Sequence, residues 1–197
     1  GLFTLVASTV GQPAAAWLEH RVEVPQALSG FSWSEEAIHR VWLAEALNLC
    51  LFHKLVEAVP DGLRYVDEQF EVGRKVVFDH GAIRTVDWAE NGELPRGRQA
   101  FSRLLEPLGF TDVRTYPLTK LNMTGWGYRQ MDLPEDIAQF FVSELHPGRL
   151  SQLFQDAVSR VVGSSRDPLS PEDLSVLNRL RTTRHCSLAE ATRLLPA

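Results

Sequence analysis

The chain has little cysteine and no long apolar segment, and each shortage excludes a class of protein. Its 197 residues include only two cysteines, Cys50 and Cys186, which are too few for the disulfide framework of a small secreted domain. No run of 18 or more apolar residues occurs, so the sequence predicts no membrane-spanning helix. We therefore expect a cytoplasmic protein in a reducing environment.

An excess of positive charge is also lacking. The chain carries 20 Lys and Arg against 25 Asp and Glu, a formal net charge of −5. A broad basic face that binds nucleic acid or a membrane surface is therefore not expected. The segment 182–195 could pass for a helix-turn-helix fragment, but the acidic balance speaks against DNA as its partner. With 44% hydrophobic residues, the composition is that of an ordinary globular protein.

One stretch, Lys75–Trp88, carries the most chemistry. Two β-prone runs flank Asp79, His80 and Gly81, and in an extended strand side chains alternate between the two faces. His80 and Arg84 therefore point the same way, about 13 Å apart along the strand. A metal-binding imidazole and a carboxylate-binding guanidinium would then line one cavity. The alternative is that His80 is a hydrogen-bonded core histidine and Arg84 a surface charge.

Helices are predicted before this stretch. Apolar residues favour a short helix over residues 1–10 and a resumed one over residues 14–20. A capping-box pattern at residues 32–35 precedes a long helix, roughly 33–58, which the Pro60–Gly62 segment is expected to end. His39 and His53 on this helix are interpreted as packing or surface residues.

The segment after the Lys75–Trp88 stretch is predicted to contain one helix followed by three strands. A short helix is predicted over about 97–107, followed by strands at 113–118, 124–131 and 137–145. Together with the first strand this makes a βαβββ unit, and its short connections favour it over a doubly wound sheet, which needs a helix after every strand. We expect an α+β fold with a mixed, curled sheet. Its concave side would be closed by a second copy or by another element.

The C-terminal part is predicted to be helical again. Helical spacing covers 149–162, Ser170 begins a helix that runs to about 181, and Ser187 begins another. Three regions are therefore expected: an N-terminal helical region at 1–72, the βαβββ module at 73–147 and a C-terminal helical region at 148–197. The chain ends on apolar residues soon after a helix starts, so this last region is expected to be truncated or to dock there.

Four motifs in this order resemble one family, the 2-oxoadipate dioxygenase/decarboxylases, or D-2-hydroxyglutarate synthases. The resemblance extends from the long helix near residue 34 to the C-terminal helices, and the family is related to the vicinal oxygen chelate enzymes built from βαβββ modules. The motifs are VFDHGAIRTV at Val77–Val86, LGF at Leu108–Phe110, YPLTKLNMTG at Tyr116–Gly125 and QFFVSELHP at Gln139–Pro147.

The resemblance implies a non-haem Fe(II) enzyme with a site of two histidines and one carboxylate, which leaves positions open for a 2-oxo acid and O₂. It implies that His80 is an iron ligand and that Arg84 holds the substrate carboxylate and serves catalysis. The implied reaction converts 2-oxoadipate to D-2-hydroxyglutarate and CO₂ in lysine catabolism. The expected partners are a small 2-oxo acid and O₂, with neither nucleic acid nor membrane.

The sequence departs from the family at the remaining iron ligands. In the family they lie in a second half of the fold, which this chain does not contain, so the expected further partner is the missing C-terminal half. Glu144 is a possible substitute, but alternation alone does not tell which face of its strand it takes. An alternative function therefore stays open: a non-catalytic binding or assembly module derived from the same fold.

Overall fold

A computed structural model describes residues 1–196 as a mixed α+β protein; Ala197, the last residue of the predicted C-terminal region, lies outside them. The helices are α1 (Leu2–Val10), α2 (Gln12–Arg21), α3 (Arg40–Ala58), α4 (Pro60–Glu71), α5 (Gln99–Leu105), α6 (Gln152–Val162), α7 (Pro171–Thr183) and α8 (Leu188–Leu194). The strands are β1 (Ile38–His39), β2 (His80–Val86), β3 (Phe110–Leu118), β4 (Met123–Gln130), β5 (Gln139–Leu145) and β6 (His185–Cys186).

The four longer strands form one mixed sheet in the order β2-β5-β4-β3. β2 pairs with β5 in parallel, whereas β4 pairs antiparallel with both β5 and β3. Because α5 lies between β2 and β3 in the chain, the order is strand, helix, strand, strand, strand. The predicted α+β fold with a βαβββ module is confirmed.

The two faces of this sheet have different environments. On one face Phe140 and Val142 of β5 are buried and belong to the hydrophobic core, together with Leu105 of α5. The other face, which we call the open face, exposes His80, Ala82 and Arg84. The strand register places these further residues on the open face: Phe141 and Ser143 from β5, Gly125 and Gly127 from β4, and Arg114 and Tyr116 from β3.

The flanking helices share one hydrophobic core with the sheet. Buried residues of α1, α2, α3, α7 and α8 form a continuous cluster with Phe110 and Phe140 of the sheet. The two-residue strands β1 and β6 pair antiparallel and tie the start of α3 to the end of α7. Among the residues that the structure describes, no helix combines the length and apolar character needed to cross a membrane.

The long helix starts later than predicted but ends at Ala58, where it was predicted to end. It begins at Arg40 rather than near residue 33, because Ile38 and His39 are recruited into β1 and His39 accepts a hydrogen bond from Val41 N as the N-cap. Pro60 does not end a helical region but occupies the first turn of α4, where a missing N–H costs nothing. The predicted start of the long helix was therefore wrong and its predicted end correct, whereas α4 was not predicted.

Other local signals were interpreted correctly. Ser170 and Ser187 form capping boxes with Asp173 and Glu190 at the starts of α7 and α8.

The apolar run at 76–78 is not part of β2, which begins at His80. Val76 instead forms an isolated parallel bridge with Val22, which joins the loop before β2 to the end of α2.

Candidate functional site

His80 stands at the start of β2 with its side chain about half exposed, at 55%. Its Nδ1 lies 2.7 Å from Oδ2 of Asp79. An ionised carboxylate can only accept a hydrogen bond, so this contact places the ring proton on Nδ1 and leaves the lone pair on Nε2. No hydrogen bond to Nε2 is present among residues 1–196. Histidines that bind metals often have their other ring nitrogen hydrogen-bonded to a carboxylate, and the His80–Asp79 contact is compatible with that pattern.

Gly81 next to it is required by packing on the covered face. A Cβ at this position would lie 2.7 Å from Cε1 of Phe140 and 2.9 Å from its Cδ1, both too close for real contacts. Any larger residue would displace the Phe140 ring or the strand. The glycine of the His-Gly motif therefore leaves room for the Phe140 ring on the covered face beside His80.

Arg84 lies on the same face, two alternations along β2. The register across the sheet runs from Arg84 through Ser143 and Gly125 to Tyr116. Its Nε is 3.5 Å from Oγ of Ser143, a long and weak contact, and no carboxylate among the described residues forms an ion pair with it. The guanidinium is thus available for a carboxylate from outside.

Another glycine, Gly125, makes room for an aromatic ring on the open face near Arg84. A Cβ on Gly125 would lie 2.2 Å from Cζ of Phe141, so the aromatic ring occupies the space that a side chain would need. The Phe141 ring also packs against Tyr116, with centroids 5.6 Å apart. The open face therefore presents an aromatic surface beside two polar side chains, His80 and Arg84.

Glu144 lies on the opposite face from His80. Its register partners are Thr85 and Thr124, and Thr85 is buried on the helix side of β2. The Glu144 carboxylate accepts a hydrogen bond of 2.6 Å from the backbone N–H of Arg98. A Cβ on Gly97 would lie 2.0 Å from the same oxygen, so the loop before α5 fits closely over it. Glu144 cannot join His80 on one metal ion.

Glu144 belongs instead to a group that could hold a metal ion on the covered side. The group consists of Asp87, Glu144 and His146, whose ligand atoms lie within 4.8 Å of one another. His80 is not a member of any such group within residues 1–196. The sequence motifs did not single out Asp87 or His146 for this role.

The donor atoms of this group are already engaged within the protein. His146 contacts Asp87 Oδ2 through Nδ1 at 3.1 Å and Thr124 Oγ1 through Nε2 at 2.8 Å, and Arg96 forms an ion pair with Asp87. Burial opposes ionisation of Asp87, but Arg96 and His146 hold its pKa below its usual value. A metal ion would have to displace the Arg96 guanidinium. We interpret the group as a hydrogen-bonded junction between β4, β5 and the loop after β2.

A groove of about 520 Å³ runs between α3 and the free edge of β2. His80 lines it on one side and Asn48 of α3 on the other, and the size is typical of a small-molecule site. Most of the lining is apolar; it includes Leu51, Phe52, Leu55, Phe78, Ile83 and Phe140.

The sequence analysis did not identify two buried polar residues of α3, Asn48 and Glu45. Asn48 is 6% exposed, and its side chain interacts with the Glu45 carboxyl group. Glu45, one turn earlier, is 2% exposed; burial raises its pKa to about 7, and the neighbouring Asn48 amide opposes that rise. The available signal was their position in the middle of a helix predicted to be apolar nearly all round.

Comparison with solved structures assigns the fold. The chain is 43% identical to a protein from Ralstonia eutropha JMP134 assigned to the glyoxalase superfamily, with a TM-score of 0.91 over 99% of this chain and 60% of that one. A protein from Shewanella frigidimarina NCIMB 400 described as a hydrolase is 17% identical, with a TM-score of 0.51 over 67% of this chain and 47% of that one. The chain therefore has the mixed α+β fold of the glyoxalase, or vicinal oxygen chelate, superfamily, which is rich in enzymes.

A more distant similarity involves the hydroxyglutarate synthase of Pseudomonas putida, solved in complex with 2-oxoadipate. The identity is 16% and the TM-score 0.44, over 79% of this chain and 33% of that one, which is too distant to support an argument about function. No family model matches the chain, and no curated protein matches it significantly. The chain spans about 60% of the length of the Ralstonia protein.

Proposed function

We propose that the chain is the N-terminal part of an Fe(II)-dependent dioxygenase/decarboxylase that converts 2-oxoadipate to D-2-hydroxyglutarate and CO₂. The observation that carries the proposal is the placement of His80 and Arg84 on the open face of a βαβββ sheet. The motif resemblance described above supports the substrate. The reaction balances with one O₂: one oxygen atom enters the new carboxylate and the other the new hydroxyl group.

The donor set of this chain fits one position of such a site and not the whole of it. His80 offers Nε2 on the open face, with Asp79 holding the ring. A facial site needs three protein ligands, and among residues 1–196 His80 belongs to no group of three possible ligands; the adjacent Asp79 carboxylate is engaged with His80 Nδ1. We propose that the other two ligands come from the C-terminal half of the same fold.

The remaining roles are assigned to residues of this chain. When bound, the iron supplies the redox chemistry with O₂. Arg84 binds a carboxylate of the 2-oxo acid through its planar fork of N–H donors, and its weak contact with Ser143 leaves those donors free. The Phe141 and Tyr116 rings give the substrate an apolar surface and keep water away from it. A cytoplasmic location is part of the proposal, supported by the two free, buried cysteines.

A binding or assembly module is the second candidate. The observation that favours it is the incomplete donor set of the open face. An apolar sheet face with one histidine could hold another protein element as easily as a metal and a substrate.

The test compares a longer protein that contains this chain with its His80→Ala variant. We expect the wild type to bind Fe(II) and to release CO₂ and D-2-hydroxyglutarate from 2-oxoadipate in step with O₂ consumption. His80→Ala should lose both iron and turnover, because two ligands do not complete the site. His20→Ala, at an exposed residue of α2, is the matched control and should retain both. Full turnover in His80→Ala would favour the module.

A further inference from the structure

We propose that Arg114 of β3 binds the far carboxylate of a 2-oxo acid whose 2-oxo end is held at His80 and Arg84, so that the open face selects 2-oxo acids with two carboxylates. This inference rests on the proposed function for the identity of the ligand. It adds a specificity-determining residue on β3, which lies at the opposite edge of the sheet from β2.

The first observation is a second arginine without a carboxylate partner. Arg114 pairs in register with Gly127 of β4, so its side chain lies on the open face, where it is exposed. Its Cζ is 5.2 Å from the centroid of the Tyr116 ring, which holds the guanidinium over the same face. No Asp or Glu among the described residues forms an ion pair with Arg114. Its N–H donors are therefore available to a carboxylate from outside, as those of Arg84 are.

The second observation is the charge of the open face. The strand register places no Asp or Glu on this face among the described residues of β2 to β5. Arg129, which also lies there, forms an ion pair with Glu135 of the loop after β4. Two cations without a counter-charge, Arg84 and Arg114, therefore share one face of a chain whose formal net charge is −5. This local excess of positive charge favours a ligand with two negative charges.

The third observation is the spacing of the two arginines. Arg84 extends towards Ser143 of β5, and Arg114 stacks over Tyr116 of β3. Two to three strand spacings, roughly 10–14 Å, therefore separate the two guanidinium groups. Hydrogen bonds of about 2.9 Å at each end leave about 4–8 Å for the ligand, which is the length of a chain of a few carbon atoms.

The surface between the two arginines suits the middle of such a ligand. The Phe141 ring lies where a side chain on Gly125 would be, and it packs against Tyr116 with centroids 5.6 Å apart. Gly127, beside Arg114, adds no side chain to this surface. Methylene groups can therefore rest on the aromatic rings. The ligand class is a 2-oxo acid with a few methylene groups and a second carboxylate.

The test uses this chain without metal, so that binding is measured apart from turnover; both arginines and the surface between them belong to it. The chain has three tyrosines, so carbon-13 labelling of the tyrosine rings gives three NMR reporters. Tyr116 lies under Arg114 and reports on the site. Tyr65 of α4 and Tyr128, which is 1% exposed, are the internal controls. Two ligands of equal chain length, 2-oxoadipate and 2-oxohexanoate, differ only in the far carboxylate.

We expect 2-oxoadipate to shift the Tyr116 signal saturably without moving that of Tyr65, and 2-oxohexanoate to bind at least about ten-fold more weakly. Arg114→Gln should weaken 2-oxoadipate binding by about the same factor and leave 2-oxohexanoate unchanged, since a charge-assisted hydrogen bond to the far carboxylate is lost. Arg84→Gln should weaken both ligands, because it removes the partner of their shared end. Arg160→Gln, at an exposed residue of α6, is the matched control and should change neither affinity.

Three results would overturn the inference: a Tyr116 signal that does not respond, equal affinity for the two ligands in the wild type, or equal losses for both in Arg114→Gln. The comparison of the two ligands in the wild type needs no variant and stands even if Arg114→Gln does not fold. A longer protein that turns over 2-oxoadipate with an unchanged KM in Arg114→Gln would refute the role of Arg114 alone. Selective binding of 2-oxoadipate without turnover in the longer protein would refute the reaction alone.

Discussion

Arg84 has no carboxylate partner among the described residues, a property it shares with Arg114 of β3 on the same face. Arg96, Arg98 and Arg129 are each held by an acidic side chain, whereas the described neighbour of Arg84 is the hydroxyl of Ser143. Alternation along β2 was sufficient to place Arg84 on the same face as His80. It could not tell that the face would be open, because that depends on which side the helices cover.

Arg84→Lys in the longer protein tests whether this guanidinium binds substrate. We expect iron to be retained and kcat/KM for 2-oxoadipate to fall about ten- to a few-hundredfold, since charge-assisted hydrogen bonds are worth roughly 1.5–3 kcal/mol each. Steady-state kinetics with iron content measured alongside decide the matter. Arg74→Lys, at an exposed residue before β2, is the control. Unchanged kinetics in Arg84→Lys would remove Arg84 from the site.

Glu45 shows what a buried carboxyl group does to stability. Its pKa is raised from 4.5 to about 7 in the folded protein, so between these values the folded state binds more protons than the unfolded state. The free energy of unfolding therefore falls as the pH rises from 4.5 towards 7, by something on the order of 3 kcal/mol.

Glu45→Gln removes this ionisation. We expect the variant to match the wild type near pH 4.5 and to exceed it in stability above pH 7, with the difference growing between those values. Urea unfolding of both proteins across this pH range measures it, and taking the difference cancels all other titrating groups. A stability difference that does not change with pH would mean that Glu45 has the same pKa in the folded and unfolded protein.

At the scale of elements, the sequence predicted the helices and strands whose bounds are set by neighbouring residues. The capping boxes of α7 and α8 and the strands β2 to β5 were found because hydrogen bonds and alternation there involve nearby residues. The start of α3 was missed because β1 pairs with β6, which lies about 150 residues further on. The helix α4 was missed because Pro60 fits both the end of one helix and the first turn of another.

The two N-cap serines of the C-terminal part offer a matched pair. Ser170 caps α7, which buries Val176, Leu177 and Leu180, whereas Ser151 caps α6, of which only Val158 is buried. We expect Ser170→Ala to lower the free energy of unfolding by about 1 kcal/mol. Ser151→Ala should cost less than half as much, because α6 can fray without opening the core. Denaturant unfolding followed by tryptophan fluorescence measures the free energy of unfolding of both variants. Equal decreases for the two would contradict the expectation that α6 frays without opening the core.

At the scale of the molecule, one buried carboxylate joins three parts of the chain. Asp132, after β4, receives two hydrogen bonds from Arg40 of α3, at 2.6 and 3.0 Å, and one from Arg184 at the end of α7. Burial opposes ionisation of Asp132, but Arg40 and Gln130 hold its pKa below the usual value. No sequence pattern pointed to this junction, because its members are 92 and 52 residues apart.

Asp132→Asn should destabilise the protein by about 3–5 kcal/mol, because it leaves the Arg40 guanidinium buried without a counter-charge. The control is Asp61→Asn, which removes an exposed ion pair with Arg64 and should cost less than about 1 kcal/mol. Thermal and denaturant unfolding compare the two variants. Similar small losses for both would show that the buried pair does not hold the helical part to the sheet.

The central claim concerns which face of the sheet meets the metal. The most direct measurement is an anomalous difference map at the iron edge, from crystals of the longer protein grown with Fe(II). The account predicts a peak within bonding distance of Nε2 of His80 on the open face. A peak among Asp87, Glu144 and His146 on the covered face, with none at His80, would contradict it.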